Sequence, residues 1–255
     1  NIFSPEDAEK MLAEGNADFV ALGRSQLAEP AWAKKAKEGR ASDIKPCINC
    51  LIGCIDRGML SHTPIHCTVN PSLYRFECKP VEKAETRKQV AVVGAGPAGC
   101  EAALTASKRG HQVTIYEKRC IGGAMIEASK PENKANIKRL IHYYEDHIMH
   151  DPNITLVKEE VEYETLVHSG YDAVIIAVGG KTRILNVPGI EKNSVIYASD
   201  YLNGSTAVTG NTVVVIGGGI TGAETALELN AEGKKVTIVE MTDAFLANFS
   251  SACQA

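Results

Sequence analysis

The chain repeats itself at an offset of 123 residues, and this repeat restricts its fold more than any other feature. In the first copy the apolar run Gln89-Val90-Ala91-Val92-Val93 ends in Gly94-Ala95-Gly96-Pro97-Ala98-Gly99. In the second, Thr212-Val213-Val214-Val215-Ile216 ends in Gly217-Gly218-Gly219-Ile220-Thr221-Gly222. An apolar-periodic helix follows each turn, from Glu101 to Lys108 and from Glu224 to Ala231, and each helix closes at a glycine, Gly110 or Gly233. A β-branched strand comes next, Val113-Thr114-Ile115-Tyr116-Glu117 or Val236-Thr237-Ile238-Val239-Glu240. Its terminal acid lies 23 residues beyond the first glycine in both copies. A lone G-x-G-x-x-G says little. Strand, glycines, helix, strand and terminal acid together form a dinucleotide-binding fingerprint. The first glycine makes the tight turn, the second lets backbone approach a pyrophosphate, and the third lets helix pack on strand. The helix N-terminus offers N–H groups and partial positive charge to phosphates, and the acid accepts hydrogen bonds from ribose hydroxyls.

Two such units in one chain predict an α/β fold with Rossmann-like domains, one for a flavin and one for a pyridine nucleotide. After the first acid, Lys118-Arg119-Cys120-Ile121-Gly122-Gly123 is a turn able to close over a second phosphate. The run Tyr171-Asp172-Ala173-Val174-Ile175-Ile176-Ala177-Val178-Gly179-Gly180 reads as a buried strand ending beside the dinucleotide, where Ala177, Val178 and Gly179 would line the site. Val161 completes the set of candidate cofactor neighbours. Ile137, Leu140, Ile141, Tyr144 and Ile148 form a helical apolar stripe that reads as packing. Glu240 would repel a 2′-phosphate, which favours NADH over NADPH; Lys234 and Lys235 lie nearby in sequence and temper that preference.

The cysteines add a third constraint. There are eight, and four of them, Cys47, Cys50, Cys54 and Cys67, are spaced C-x2-C-x3-C-x12-C. With no secretion signal, such a cluster reads as metal ligation rather than disulfides. A zinc knuckle is one reading, but zinc sites usually present two separated pairs. Three thiols crowded together with a fourth returning later suit a [4Fe–4S] cubane, and the flavin fingerprint strengthens that reading. Gly53 would let the backbone turn close to the inorganic core. Cys100, Cys120 and Cys253 read as structural, and Cys78 as a bystander. His62 and His66 flank the cluster and read as loop histidines.

Composition excludes other classes. The chain has 255 residues, of which 44% are hydrophobic and 23% charged, as in a globular domain rather than a disordered chain. A net charge of −4, few aromatics and a single Trp32 argue against nucleic acid as the partner. There is no apolar stretch long enough for a membrane span, and the N-terminus does not read as a signal peptide, so a cytoplasmic location is expected. Homo-oligomerisation is left open.

These residues resemble the iron–sulfur flavoenzymes of the 2,4-dienoyl-CoA reductase, trimethylamine dehydrogenase and enoate reductase family. In that family a barrel carrying FMN is followed by a four-cysteine [4Fe–4S] segment, an FAD- or ADP-binding domain and an NAD(P)-binding domain. The resemblance runs from about residue 4 to 241. It implies that residues 1–45 end the FMN barrel, 46–85 carry the cluster, 86–207 bind FAD, and 208–255 begin the NAD(P) domain. Ser4 to Leu12 reads as a capped helix, and Asp18 to Arg24 as the last barrel strand, with Gly23 and Arg24 inheriting the FMN phosphate. Gly94, Gly96, Gly99 and Glu117 match the FAD fingerprint; Gly217, Gly219 and Gly222 match the NAD(P) fingerprint, with Glu224 in the helix beyond.

Three departures stand out. Twelve residues separate Cys54 from Cys67 where about eleven is usual, and Val178 replaces a threonine. Seven barrel strands and the returning FAD segment are missing, which reads as a fragment. The resemblance implies electron flow from NAD(P)H through FAD and the cluster to FMN, for reduction of an activated C=C bond or oxidation of an amine. No acid, base or nucleophile of this chain needs a catalytic role. A glutamate synthase small-subunit-like module would want a second cluster motif. A disulfide reductase would want a second cysteine near Cys120. A cofactor-binding module without turnover remains the alternative of a different class.

Overall fold

The computed structural model describes residues 2–73 and 81–246, so Cys78 and Cys253 lie outside the described residues. In chain order the helices and strands are α1 (Pro5–Ala13), α2 (Arg24–Ala28), α3 (Trp32–Lys37), β1 (Gln89–Val93), α4 (Pro97–Lys108), β2 (Gln112–Tyr116), α5 (Met125–Ala128), α6 (Ala135–His150), β3 (Ile154–Val157), α7 (Tyr163–His168), β4 (Ala173–Ile176), α8 (Ala198–Leu202), β5 (Thr212–Ile216), α9 (Ile220–Ala231) and β6 (Lys235–Val239). A π-helix spans Ile52–Leu60 within the cysteine segment. The chain divides into two compact units, Asn1–Ile126 with Asn136–Gly179, and Glu127–Ala135 with Gly180–Ala255.

The first unit is built on a parallel sheet of order β3-β2-β1-β4. Its register sets Val92 beside Ile115 and Ile175, and Ile115 beside Leu156. Val90, Val92, Val113 and Ile115 are buried with Cys100 and Ala103 of α4. The α6 stripe packs on the same core as expected: Leu140, Ile141, Tyr144 and Ile148 are buried, and Ile137 is half-buried. The second unit carries the parallel pair β5-β6, with Val215 beside Ile238, which is the β1–β2 register shifted by the sequence offset. Its core joins Tyr201, Leu202, Val215, Ala226 and Leu229.

Ser4 caps α1 as expected, its hydroxyl accepting from the Asp7 amide while the Asp7 carboxylate accepts from the Ser4 amide. Two expectations need correction. Asp18 to Arg24 is not a strand; Val20 to Leu22 runs without strand pairing and Arg24 opens α2. Among the described residues no strand lies beside this run to pair its backbone groups. The run containing β4 is a strand but not a buried one. Every residue of β4 is exposed, and β4 stands at an edge of the sheet.

No helix among the described residues is long and apolar enough to cross a membrane.

Candidate functional site

Each glycine turn is held by backbone before any ligand is considered. In the first unit the Gly94 amide donates to the Tyr116 carbonyl at 2.8 Å; in the second the Gly217 amide donates to the Val239 carbonyl at 2.8 Å. Gly94 has φ 99° and Gly217 has φ 105°, a conformation costly for any other residue. A Cβ on Gly99 would overlap the Gly94 carbonyl, and one on Gly222 would overlap the Gly217 carbonyl. The first and third glycines are therefore demanded by the fold itself.

The middle glycines are not. Gly96 is the N-cap of α4 with φ −71° and ψ −179°, and Gly219 caps α9 with φ −73° and ψ −178°. Any residue adopts those angles. A Cβ on Gly96 would meet only the Gly123 Cα, at 3.8 Å, and one on Gly219 would meet nothing within 4 Å. Neither helix has a side-chain cap, so its first amides are left to an incoming acceptor.

The terminal acids close the turns in the same way in both copies. Glu117 Oε2 accepts from the Ala95 amide at 2.8 Å and Oε1 from the Arg119 amide at 2.7 Å. Glu240 Oε2 accepts from the Gly218 amide at 2.6 Å and Oε1 from the Thr242 amide at 2.9 Å. Hydrogen bonds from the Gly218 and Thr242 amides hold the Glu240 carboxyl below the usual carboxylate range. Sequence reasoning names Arg119 only as part of the 118–123 turn and misses Thr242, two residues beyond the second acid. The shared offset of the repeat was the signal that could have found them as a pair.

The remaining first-unit candidates gather unevenly. Pro97 sits at the first position of α4 and Ala98 is exposed beside it. The Gly122 amide donates to the Ala95 carbonyl at 2.9 Å, and a Cβ on Gly123 would meet the Gly96 Cα at 2.8 Å, so the 118–123 turn folds back over the glycine turn. Lys118 instead pairs with Glu160 at 2.7 Å. The Ala177 amide donates to the Val93 carbonyl, and the Ala177 carbonyl lies where a Cβ of Gly94 would point. Val178 is exposed, Gly179 has φ 71°, and Val161 is half-buried in the loop between β3 and α7. In the second unit Glu224 forms an ion pair with Lys134. Lys234 and Lys235 stand at the start of β6 and Glu240 beyond its end, about 16 Å away at strand spacing, so they do not serve a 2′-phosphate beside Glu240.

The four clustered cysteines lie half-buried on the first unit, and all six cysteines of the described residues are free thiols. Cys47 and Cys67 pack against the core, while Cys50 and Cys54 lie on the loop and π-helix between them. The wrap is made by left-handed backbone at Asn49, φ 56°, and Leu51, φ 59°. Gly53 serves another purpose than the one expected of it. A Cβ there would overlap the His66 carbonyl, and the His66 amide donates to the Gly53 carbonyl at 2.8 Å. Gly53 thus admits the returning strand of chain that delivers Cys67, and His66 is part of that return. Burial pushes the Cys47 thiol up; the Asn49 amide and Arg24 pull it down, and Cys67 and Cys50 add to the rise. Among the described residues no three His, Cys, Asp or Glu side chains gather tightly enough for a single ion. The donor set, four soft thiols on a preformed wrap, suits a cluster that gives each thiolate its own iron. Gly23 and Arg24 line a cleft of about 190 Å³ with Ser25, Leu22 and Asn49, next to this wrap. Cys100 is inert: burial pushes its thiol up to about 12, and it donates to the Ala95 carbonyl.

Comparison with known proteins defines the class. The model of the pyridine nucleotide-disulphide oxidoreductase family matches residues 88–255. NADH oxidase of Thermoanaerobacter brockii is 44% identical over 245 residues, covering 94% of this chain and 38% of that protein. Cinnamate reductase of Clostridium sporogenes is 34% identical over 253 residues, covering 98% of this chain and 37% of that protein. The solved structure of a 2-naphthoyl-CoA reductase in complex with 2-naphthoyl-CoA superposes with a TM-score of 0.92 at 33% identity, over 97% of this chain and 38% of that one. The chain belongs to the pyridine nucleotide-disulphide oxidoreductase family, and within it to the enoate and dienoyl-CoA reductase-like flavoenzymes. It spans under two fifths of the length of these relatives.

Proposed function

We propose that the chain is the electron-input part of an iron–sulfur flavoprotein oxidoreductase that draws on NADH. In this reading residues 1–45 end an FMN-binding barrel, 46–85 hold a [4Fe–4S] cluster, 86–207 bind FAD and 208–255 begin the NAD(P)-binding domain. Bound there, these groups would supply the redox chemistry, hydride acceptance from NADH and single-electron transfer, for reduction of an activated C=C bond or, in reverse, oxidation of an amine.

The protein's own residues bind, orient and tune. Gly94, Ala95, Gly96, Pro97, Ala98 and Gly99 cradle the FAD pyrophosphate on the amides of α4, with Glu117 on the ribose and Lys118, Gly122 and Gly123 over the second phosphate. Val161, Ala177, Val178 and Gly179 line its flank. Gly217, Gly219 and Gly222 repeat the cradle for NADH, with Glu240 on its ribose and Glu224 held by Lys134 in the helix behind. Cys47, Cys50, Cys54 and Cys67 ligate the cluster, and Gly23 with Arg24 holds the FMN phosphate. A small organic substrate and a cytoplasmic location complete the proposal.

The observation that carries it is the pair of middle glycines. Gly96 and Gly219 are required neither by backbone angle nor by a protein neighbour, so their place in both turns is explained by close approach of a ligand. The test is an anaerobic UV–visible spectrum of the purified chain before and after NADH. Flavin bands over a broad iron–sulfur shoulder, bleached by NADH, are expected. A spectrum with neither feature would overturn the flavin and cluster assignments for this chain. A second reading is a cofactor-holding module without turnover, in keeping with the exposed edge strand β4. Bound flavin that NADH does not bleach would favour it.

A further inference from the structure

Cys50 Sγ lies 3.1 Å from Thr68 Oγ1. Between a free thiol and a hydroxyl either group can donate. A thiolate bound to iron has no proton to give, so with a cluster in place only the Thr68 hydroxyl can donate. The Cys54 thiol behaves in the opposite way: it points at the Leu51 carbonyl at 3.9 Å, an acceptor that offers a thiolate nothing.

The position of Thr68 is fixed from both sides. Two residues earlier, the His66 amide is tied to the Gly53 carbonyl at 2.8 Å. Val69 is buried in the core of the first unit, and the buried Asn70 donates its side-chain amide to the Leu27 carbonyl at 2.9 Å. The segment that brings in the fourth cysteine therefore also sets a hydroxyl against the second.

We propose that Thr68 is a tuning residue of the cluster, its hydroxyl donating to Cys50 Sγ and raising the reduction potential. The inference rests on the cluster reading above. One-electron reduction adds a negative charge shared with the ligand sulfurs, and no proton need move. A donor on a sulfur then stabilises the reduced form more than the oxidised form. Loss of the hydroxyl should shift the oxidised-to-reduced ratio at fixed potential by up to about tenfold, which is about 59 mV more negative for one electron.

The experiment uses the full chain, reconstituted anaerobically with iron and sulfide, in a redox titration followed by EPR. Thr68→Val removes the hydroxyl at constant shape, Thr68→Ala removes it without the branched shape, and Thr68→Ser restores it. Thr68 is exposed, so all three fit the fold. Iron and sulfide content equal to the native chain, a more negative midpoint in the Val and Ala variants, and a native midpoint in the Ser variant are expected. Full loading with an unmoved midpoint in the Val and Ala variants would overturn the role of Thr68 and leave the cluster reading standing. A native chain that takes up no iron and sulfide would overturn both.

Discussion

At the residue scale the three glycines of each turn do different jobs, and substitution should separate them. Gly96→Ala places a methyl in allowed backbone and open space, so it should not destabilise the fold and should raise stability by about 0.4–1 kcal/mol through the unfolded chain. The same methyl stands where a pyrophosphate would approach the α4 amides, so flavin retention should fall by roughly tenfold or more. Gly99→Ala drives a methyl into the Gly94 carbonyl, with an expected cost of about 1–3 kcal/mol or more. Urea denaturation beside flavin content after gel filtration reads both. If Gly96→Ala destabilised as much as Gly99→Ala, the middle glycine would be structural, and the observation carrying the proposed function would be lost.

Elements show which features a sequence can carry. The fingerprint is short-range: turn, helix start and acid lie within 23 residues, and their geometry follows from glycine angles and strand register that local sequence encodes. The capped helix α1 and the apolar stripe of α6 are legible for the same reason. What covers an element is not encoded in the element. The apolar composition of β4 suggests burial, yet at the sheet edge Val174, Ile175 and Ile176 are exposed. Val20 to Leu22 has strand-like composition and no strand beside it. Gly53 lies in the wrap, but its neighbour is the His66 backbone, a contact across a loop that spacing alone does not reveal.

The bridge between the cysteine segment and α4 was equally hidden. Lys45, two residues before Cys47, pairs with Glu101 of α4 and lies 5.5 Å and 5.8 Å from the ring centroids of Tyr143 and Tyr144. The Tyr144 hydroxyl donates to the same Glu101 carboxylate at 2.8 Å. Burial, with the Glu101 charge beside it, pushes the Tyr144 phenol well above its ordinary range, so it remains a donor throughout the working pH range. Tyr144→Phe keeps the packing and deletes one charge-assisted hydrogen bond to a partly exposed carboxylate. A loss of about 1 kcal/mol in urea denaturation is expected. A stability equal to the native chain would show that this hydrogen bond adds nothing to the packing of α6 on α4.

At the scale of the whole molecule, duplication is the organising fact. The repeat persists from sequence into register, turn angle and the two backbone-amide hydrogen bonds of each terminal acid. What differs is the surroundings. Among the described residues the first copy is joined by β3, β4, the 118–123 turn and a wrap of free thiols, and the second by α8. Equivalent cradles in unequal units should respond to different ligands. A ligand bound to one native unit stabilises that unit by RT ln(1 + [L]/Kd) and slows the opening reactions that expose its amides. Hydrogen exchange followed by mass spectrometry should therefore show FAD protecting peptides around β1, α4 and β2. NADH, added to the flavin-loaded chain, should protect those around β5, α9 and β6. Protection by FAD at β5 and α9 with none at β1 and α4 would reverse the assignment of the two cradles, because the shared fingerprint alone does not distinguish them.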